Sequence, residues 1–196
     1  MLKFSKANAK TQALKNDSEL ADYLTGKRKI YSLDLLSGWS CPHAKDCLSK
    51  AIVQDNGKRK IKDGKDTKFR CFSASQEVQY TNVYNSRKHN FDLLRHLHFE
   101  DMVELINNSL PRDAGIVRIH VAGDFFNQDY LHAWYIVALR NPRTLFYAYT
   151  KSLRYWVGDM TESPDLWNFV LTASYGGTHD HLIDEFNLRS AKVVFS

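Results

Sequence analysis

A rhythm in the second half of the chain narrows the fold more than any other feature. Short apolar runs suited to strands begin near residues 116, 144, 167 and 191, and stretches of helical spacing fill the gaps between them. The strands are Ile116–Ala122 (IVRIHVA), Thr144–Tyr149 (TLFYAY), Trp167–Ala173 (WNFVLTA) and Ala191–Phe195 (AKVVF). The helices are Gln128–Leu139, a segment around Leu153–Asp159 and one around Asp180–Phe186, and Asn127 is placed to cap the first of them. A step of about 25 residues is the signature of βα units, because parallel neighbours need a crossover of a dozen or more residues. The fold class is therefore α/β: a parallel β/α sheet or a partial, incomplete TIM-like barrel. Upstream, Lys29–Leu36 (KIYSLDLL) has strand character. Residues 51–62 (AIVQDNGKRKIK) place Asn56-Gly57 between two alternating arms, which predicts an inserted β-hairpin. Residues 73–109 carry a helical pattern, and a short helix is expected around Leu14–Tyr23. With no linker and no low-complexity stretch, residues 1–196 are expected to form a single domain.

This architecture says where chemistry should sit. In parallel β/α folds the working groups lie in loops beyond the carboxyl ends of the strands. Those loops hold Cys41 and Cys47 after the first strand, Gly123 and Asp124 after the second, and Thr150 and Lys151 after the third. Ser174, Gly176, Gly177, His179 and His181 follow the fourth, and Ser196 follows the last.

The cysteines carry the strongest chemical signal. There are three, an odd number, spaced Cys41-x5-Cys47-x23-Cys71, which argues against a disulfide framework. Soft thiolates bind iron–sulfur clusters and zinc. Three cysteines on a [4Fe–4S] cluster would leave one iron open to a small-molecule ligand. The same three with His43 would instead close a tetrahedral zinc site, and three ordinary buried thiols are the plain alternative. Around them, Gly123 allows close approach of a ligand, Asp124 is an acceptor for an ammonium or hydroxyl group, and Lys151 is a point charge for a carboxylate or phosphate. Ser174 completes the expected ligand-binding set of Gly123, Asp124, Lys151 and Ser174. Asp124, Lys151 and His179 are the candidate catalytic groups.

Charge adds a second reading. Residues 1–70 hold 16 Lys/Arg against 8 Asp/Glu, while the remainder is slightly acidic. Lys58, Arg59, Lys60, Lys62, Lys65, Lys68 and Arg70 crowd one stretch, so residues 58–70 are a candidate nucleic-acid contact, the alternative function being a nucleic-acid-binding module with structural zinc. A solvated basic hairpin is the plainer reading. No apolar run is long enough to cross a membrane and the first residues lack a signal-peptide stretch, so a cytoplasmic protein is expected.

Several segments are similar to a bacteriophage family, gene product 88. They are Gly38-Trp39-Ser40-Cys41-Pro42-His43-Ala44, Phe69-Arg70-Cys71-Phe72-Ser73-Ala74-Ser75-Gln76-Glu77, Arg118-Ile119-His120-Val121-Ala122-Gly123-Asp124-Phe125-Phe126 and Phe146-Tyr147-Ala148-Tyr149-Thr150-Lys151-Ser152. His89–Leu94 and His179–Glu185 add to the resemblance. It implies a viral protein working in the infected host cell and no particular activity. Members of that family often continue further, which implies that Ser196 closes a short or truncated one. At the level of fold, the strand leading into a cysteine loop and the Ala122-Gly123-Asp124 motif also resemble radical S-adenosylmethionine enzymes. That likeness implies S-adenosylmethionine as a further ligand and a cluster-dependent enzyme. The departure is that Cys71 lies beyond a hairpin, whereas that family's three cysteines sit close together.

Overall fold

The computed structural model describes residues 1–160 and 165–193. Five parallel strands form the body of one sheet: β2 (Lys29–Leu33), β5 (Ala114–Ile119), β6 (Leu145–Thr150), β7 (Phe169–Ser174) and β8 (Ser190–Ala191). A sixth strand, β1 (Phe4–Lys6), joins β2 antiparallel, giving the order β1-β2-β5-β6-β7-β8. The sheet is mostly parallel and open, with β1 and β8 at its edges among the described residues. The hairpin β3 (Ser49–Val53) and β4 (Arg59–Asp63) stands apart as its own two-stranded sheet. Its turn is a three-residue loop with Gly57 in the left-handed region (φ 76), and the Lys58 N–H donates to Asn56 Oδ1 at 2.9 Å.

Register fixes the two faces. Paired residues in parallel strands point the same way, so Leu33, Ile119, Ala148 and Leu171 share one face. The helices α4 (Phe99–Ser109) and α5 (Gln128–Arg140) pack there around the fully buried Trp134, Tyr130 and Phe146. Asn127 caps α5, accepting from the Tyr130 N–H at 2.8 Å. α6 (Leu153–Met160) and α7 (His181–Glu185) cover Ala173 on the same face. The opposite face carries Ile30, Ile116, Leu145, Tyr147 and Val170, and the chain's first quarter covers it.

That first quarter departs from expectation. Residues expected to form a helix around Leu14–Tyr23 make two 3₁₀ segments, Ala13–Asn16 and Ser18–Leu24, after a single helical turn α1 (Ala9–Gln12). Asp17 breaks the run because it is extended and its carboxylate accepts from the Glu19 N–H at 2.9 Å. The tighter turns let Leu14, Leu20, Tyr23 and Leu24 all reach the sheet. The helical region 73–109 is three helices, α2 (Phe72–Gln79), α3 (Thr81–Leu94) and α4, separated at the extended residues Tyr80 and His98. The last strand begins at Ser190, and residues 194–195 of the expected one lie outside the described residues, as does Ser196. No helix among the described residues is long and apolar enough to cross a membrane.

β5 runs out into His120, a buried residue with φ 67. Left-handed backbone is unusual without glycine. Here it turns the Val121 and Ala122 N–H groups onto one oxygen of Asp34, at 2.8 and 3.3 Å. His120 Nε2 pairs with the Tyr130 hydroxyl at 3.1 Å, while Nδ1 is buried with no partner among the described residues. Burial pushes the imidazolium down to about 3, with Arg118 adding to the effect. The folded value lies below the ordinary one, so this histidine's contribution to stability is complete above about pH 6.5 and is lost as the pH falls toward about 3. The loss runs at up to about 1.4 kcal/mol per pH unit. His120→Asn tolerates the left-handed backbone and should flatten that acid slope in urea titrations across the window. An unchanged slope would assign it to other groups.

Candidate functional site: a three-thiol pocket at the carboxyl ends of the strands

Cys41, Cys47 and Cys71 are all free thiols, partly buried, and they line one pocket of about 110 Å³. Gly123, Asp124, Lys151 and Ser174 line it too. The four residues expected to bind a ligand and the three expected to bind metal thus meet in one place, in loops following β2, β5, β6 and β7 and at the start of α2.

Local chemistry brings distant residues together. The loop after β2 is gripped at Ser37, whose N–H and hydroxyl both donate to Glu77 Oε1 on α2, at 3.0 and 2.8 Å. Arg87 on α3 donates to the same oxygen at 3.1 Å, to the Ser73 carbonyl at 3.0 Å and to Gln76 at 3.1 Å. Burial pushes both Glu77 and Asp34 upward, and Arg87 pulls both back. Since Cys71 is the N-cap residue of α2, this network fixes its position relative to Cys41. Asp46 does the same for Cys47: its carbonyl accepts from the Lys68 and Phe69 N–H groups, at 2.8 and 3.0 Å, just before Cys71. The Cys71 N–H donates to Ser49 Oγ at 3.1 Å. On the other side, the Lys45 and Asp46 N–H groups donate to the Gly176 carbonyl at 3.1 and 2.9 Å, docking the cysteine loop on the loop after β7.

The thiols differ in their surroundings. Burial pushes the Cys41 thiol far up, and the neighbouring Asp124 adds to this, while the Gly38 N–H donates to its sulfur at 3.3 Å. Burial also raises Cys47, against a pull downward from Lys151. Thiols held neutral are poor nucleophiles, so bare thiolate chemistry is disfavoured for this pair. A bound metal reverses that balance, because coordination deprotonates a thiol outright.

Asp124 is buried, and burial pushes its carboxyl up against the pull of its hydrogen bonds. Oδ1 accepts from the Phe125 N–H at 2.8 Å and the Thr150 hydroxyl at 2.6 Å, and Oδ2 from the Lys151 N–H at 2.8 Å. A carboxylate offers about four acceptor positions, so one on Oδ2 is left over. Asp124 therefore braces the turn into Lys151 and still faces the pocket with spare acceptor capacity. Lys151 Nζ donates to Ser174 Oγ at 2.6 Å, which holds the cation across the pocket wall.

Two histidines stand elsewhere. His43 packs its ring 4.8 Å from both Tyr155 and His179, and neither His43 nor His179 lines the thiol pocket. His179 Nδ1 lies 2.9 Å from Thr178 Oγ1. Among the described residues no group of three or more His, Cys, Asp and Glu side chains has the arrangement that holds a metal ion. His43, the alternative fourth ligand of a zinc site, is not among the residues that line the pocket with the cysteines. Of the basic run, Arg59 is spent on the Glu77 carbonyl (2.8 Å) and Thr81 (2.7 Å), Lys68 on Asp46 (3.1 Å) and Arg70 on Asp63 (2.8 Å).

Sequence reasoning missed Ser37, Ser73 and Tyr149 as pocket residues. Tyr149 had a signal, since alternation in β6 sets Tyr147 and Tyr149 on one face. Gly123 is held at φ 92, and a Cβ there would meet Ser40 Oγ at 2.6 Å and Leu35 Cβ at 2.8 Å. Gly123→Ala should therefore push the cysteine loop outward. The left-handed backbone alone costs about 1–2 kcal/mol, and the three thiols should react faster with a thiol reagent. Unchanged thiol reactivity would show that the loop does not depend on this contact.

The fold and the site together define an open, mostly parallel α/β protein whose thiols converge at the carboxyl ends of its strands. Within that class the chain belongs to the gene product 88 family, whose family model matches residues 2–196. No curated protein and no solved structure matches the chain.

Proposed function

We propose that this chain is an iron–sulfur protein that holds a [4Fe–4S] cluster through Cys41, Cys47 and Cys71. The observation that supports this most is the convergence of three free thiols, up to 30 positions apart in sequence, on one pocket. In a cluster each thiolate binds a different iron, so the ligands stand further apart than those of a single ion. The Gly38 N–H on Cys41 is the kind of hydrogen bond that tunes a cluster's potential.

When bound, the cluster supplies one-electron transfer or a Lewis-acidic iron. The chain's own residues would do the rest. Lys151, held by Ser174, offers a cation to a carboxylate or phosphate of a small ligand at the open iron. The spare acceptor position on Asp124 suits an ammonium or hydroxyl group of the same ligand. S-adenosylmethionine has both groups and is the ligand implied by the fold-level likeness to enzymes that use it.

Iron, sulfide and zinc analysis with electron paramagnetic resonance, on protein purified without oxygen, tests the reading. About four irons and four sulfides per chain are expected. Stoichiometric zinc without iron, or no metal at all, overturns it. Equilibrium dialysis of S-adenosylmethionine against the iron-loaded protein then tests the ligand.

A further inference from the structure

At the other end of the sheet, where the strands begin, four arginines surround a cavity of about 490 Å³. Arg28 precedes β2, Arg112 precedes β5, and Arg140 and Arg143 flank the turn into β6. Among the described residues no carboxylate lines this cavity. Of the described acids, Glu104 pairs with Arg140 at 2.6 Å, and Asp113, next in sequence to Arg112, is committed to Lys29 and Tyr31 at 2.5 and 2.7 Å.

Arg28 gives the cavity a fixed centre. Its Nη2 donates to the Ala114 carbonyl at 2.5 Å and to Thr144 Oγ1 at 2.9 Å, so it bridges the starts of β5 and β6. Guanidinium has five N–H donors, and the other three have no partner among the described residues. Burial and the like charge of Arg143 both lower its affinity for its own proton, the mark of positive charge with too little negative charge nearby. Arg112 and Arg143 are exposed, and neither has an ion pair among the described residues. Leu110, Pro111 and Pro142 add apolar wall. The volume falls in the range of small-molecule sites, about 300–1,000 Å³.

We infer that this cavity binds a multiply charged phosphate compound, with Arg28 as the fixed contact and Arg112 and Arg143 closing on it. Planar guanidinium groups pair with phosphate oxygens two at a time, as Arg112 and Arg143 can, while Arg28, whose Nη2 hydrogens are spent, adds single contacts from Nε and Nη1; three such cations suit a diphosphate better than a single phosphate. The inference does not depend on the thiol pocket, which lies at the opposite ends of the strands.

Calorimetric titration of the full chain with inorganic pyrophosphate, orthophosphate and ADP tests it. Pyrophosphate is expected to bind at least about tenfold more tightly than orthophosphate, one such factor being the worth of one good charge-assisted contact. Arg112→Ala with Arg143→Ala should weaken pyrophosphate by about tenfold or more, with the circular dichroism spectrum unchanged because both side chains are exposed. Lys58→Ala with Lys60→Ala, at the hairpin, should leave binding as it was. ADP binding tighter than pyrophosphate would identify a nucleotide as the ligand, and equal binding a free polyphosphate. No binding of pyrophosphate, or equal binding by the arginine double variant, overturns the inference.

Discussion

Replacing any one of Cys41, Cys47 and Cys71 with serine is expected to abolish iron and sulfide retention in protein prepared without oxygen. A serine hydroxyl is a hard, weakly acidic group and a poor exchange for a thiolate on iron. From about four irons per chain, each variant should fall to a trace, and the visible absorbance should go with it. The fold should survive, since the three thiols form no disulfide and contribute little to the apolar core. Circular dichroism and thermal melting of the metal-free proteins should therefore coincide with those of the unsubstituted chain treated with chelator. His43→Ala provides the contrast: its ring packs on Tyr155 and His179 outside the pocket, so iron should be retained. Iron retained by all three cysteine variants would remove the proposed ligands, and iron lost from His43→Ala would bring in a fourth that the structure does not place there.

Arg87→Met should be the most destabilising single change outside the apolar core. Arg87 is almost wholly buried, faces Glu77 at 3.1 Å and Asp34 at 3.9 Å, and ties the first turn of α2 through the Ser73 carbonyl. Removing one partner of a buried ion pair leaves charge without compensation, a loss of about 3–5 kcal/mol. Burial already pushes both carboxyls upward, so without Arg87 they should take up protons, and the variant should lose less stability at acid pH than at neutral pH. Glu77→Gln in the Arg87→Met background should recover part of the loss, whereas the two effects should simply add if the residues do not interact. Urea unfolding of the metal-free single and double variants distinguishes these results. A loss below about 1 kcal/mol for Arg87→Met would mean that the network contributes no more than an exposed pair does.

The strands that were legible in the sequence are those whose burial leaves a plain pattern. β5, β6 and β7 are apolar runs closed by polar loops, and the Asn56-Gly57 signal marked the hairpin although its turn is one residue longer than the tightest form. β1 was not legible, because three residues with one apolar side chain carry no periodicity and its position depends wholly on β2. The site was half legible for the same kind of reason. Cysteines and loop glycines announce themselves singly. The Ser37–Glu77–Arg87 network does not, since its members sit 40 and 10 positions apart and only the packing of α2 on α3 makes them neighbours. His43 lies two residues from Cys41 in sequence, but its backbone pairs with Thr178 and its ring packs on Tyr155 and His179, a placement no local pattern signals.

The edge strand β1 has a consequence for how the protein is made. Beyond its pairing with β2, its contacts lie far along the chain: the Leu2 N–H donates to Ser109, Lys3 exchanges hydrogen bonds with Asn90, and Phe4 packs edge-on against Trp134. Residues 2–4 thus have only β2 to dock on until Asn90, Ser109 and Trp134 have been made. Contacts of such wide separation form slowly, and during synthesis the free side of β2 stays open to pairing with another chain. At the rate of about 5–20 residues per second typical of translation, that interval lasts several seconds. The short strand β1 thus closes on a surface that the rest of the chain must first build, and weight added ahead of it would act on that closing step rather than on the folding of the body.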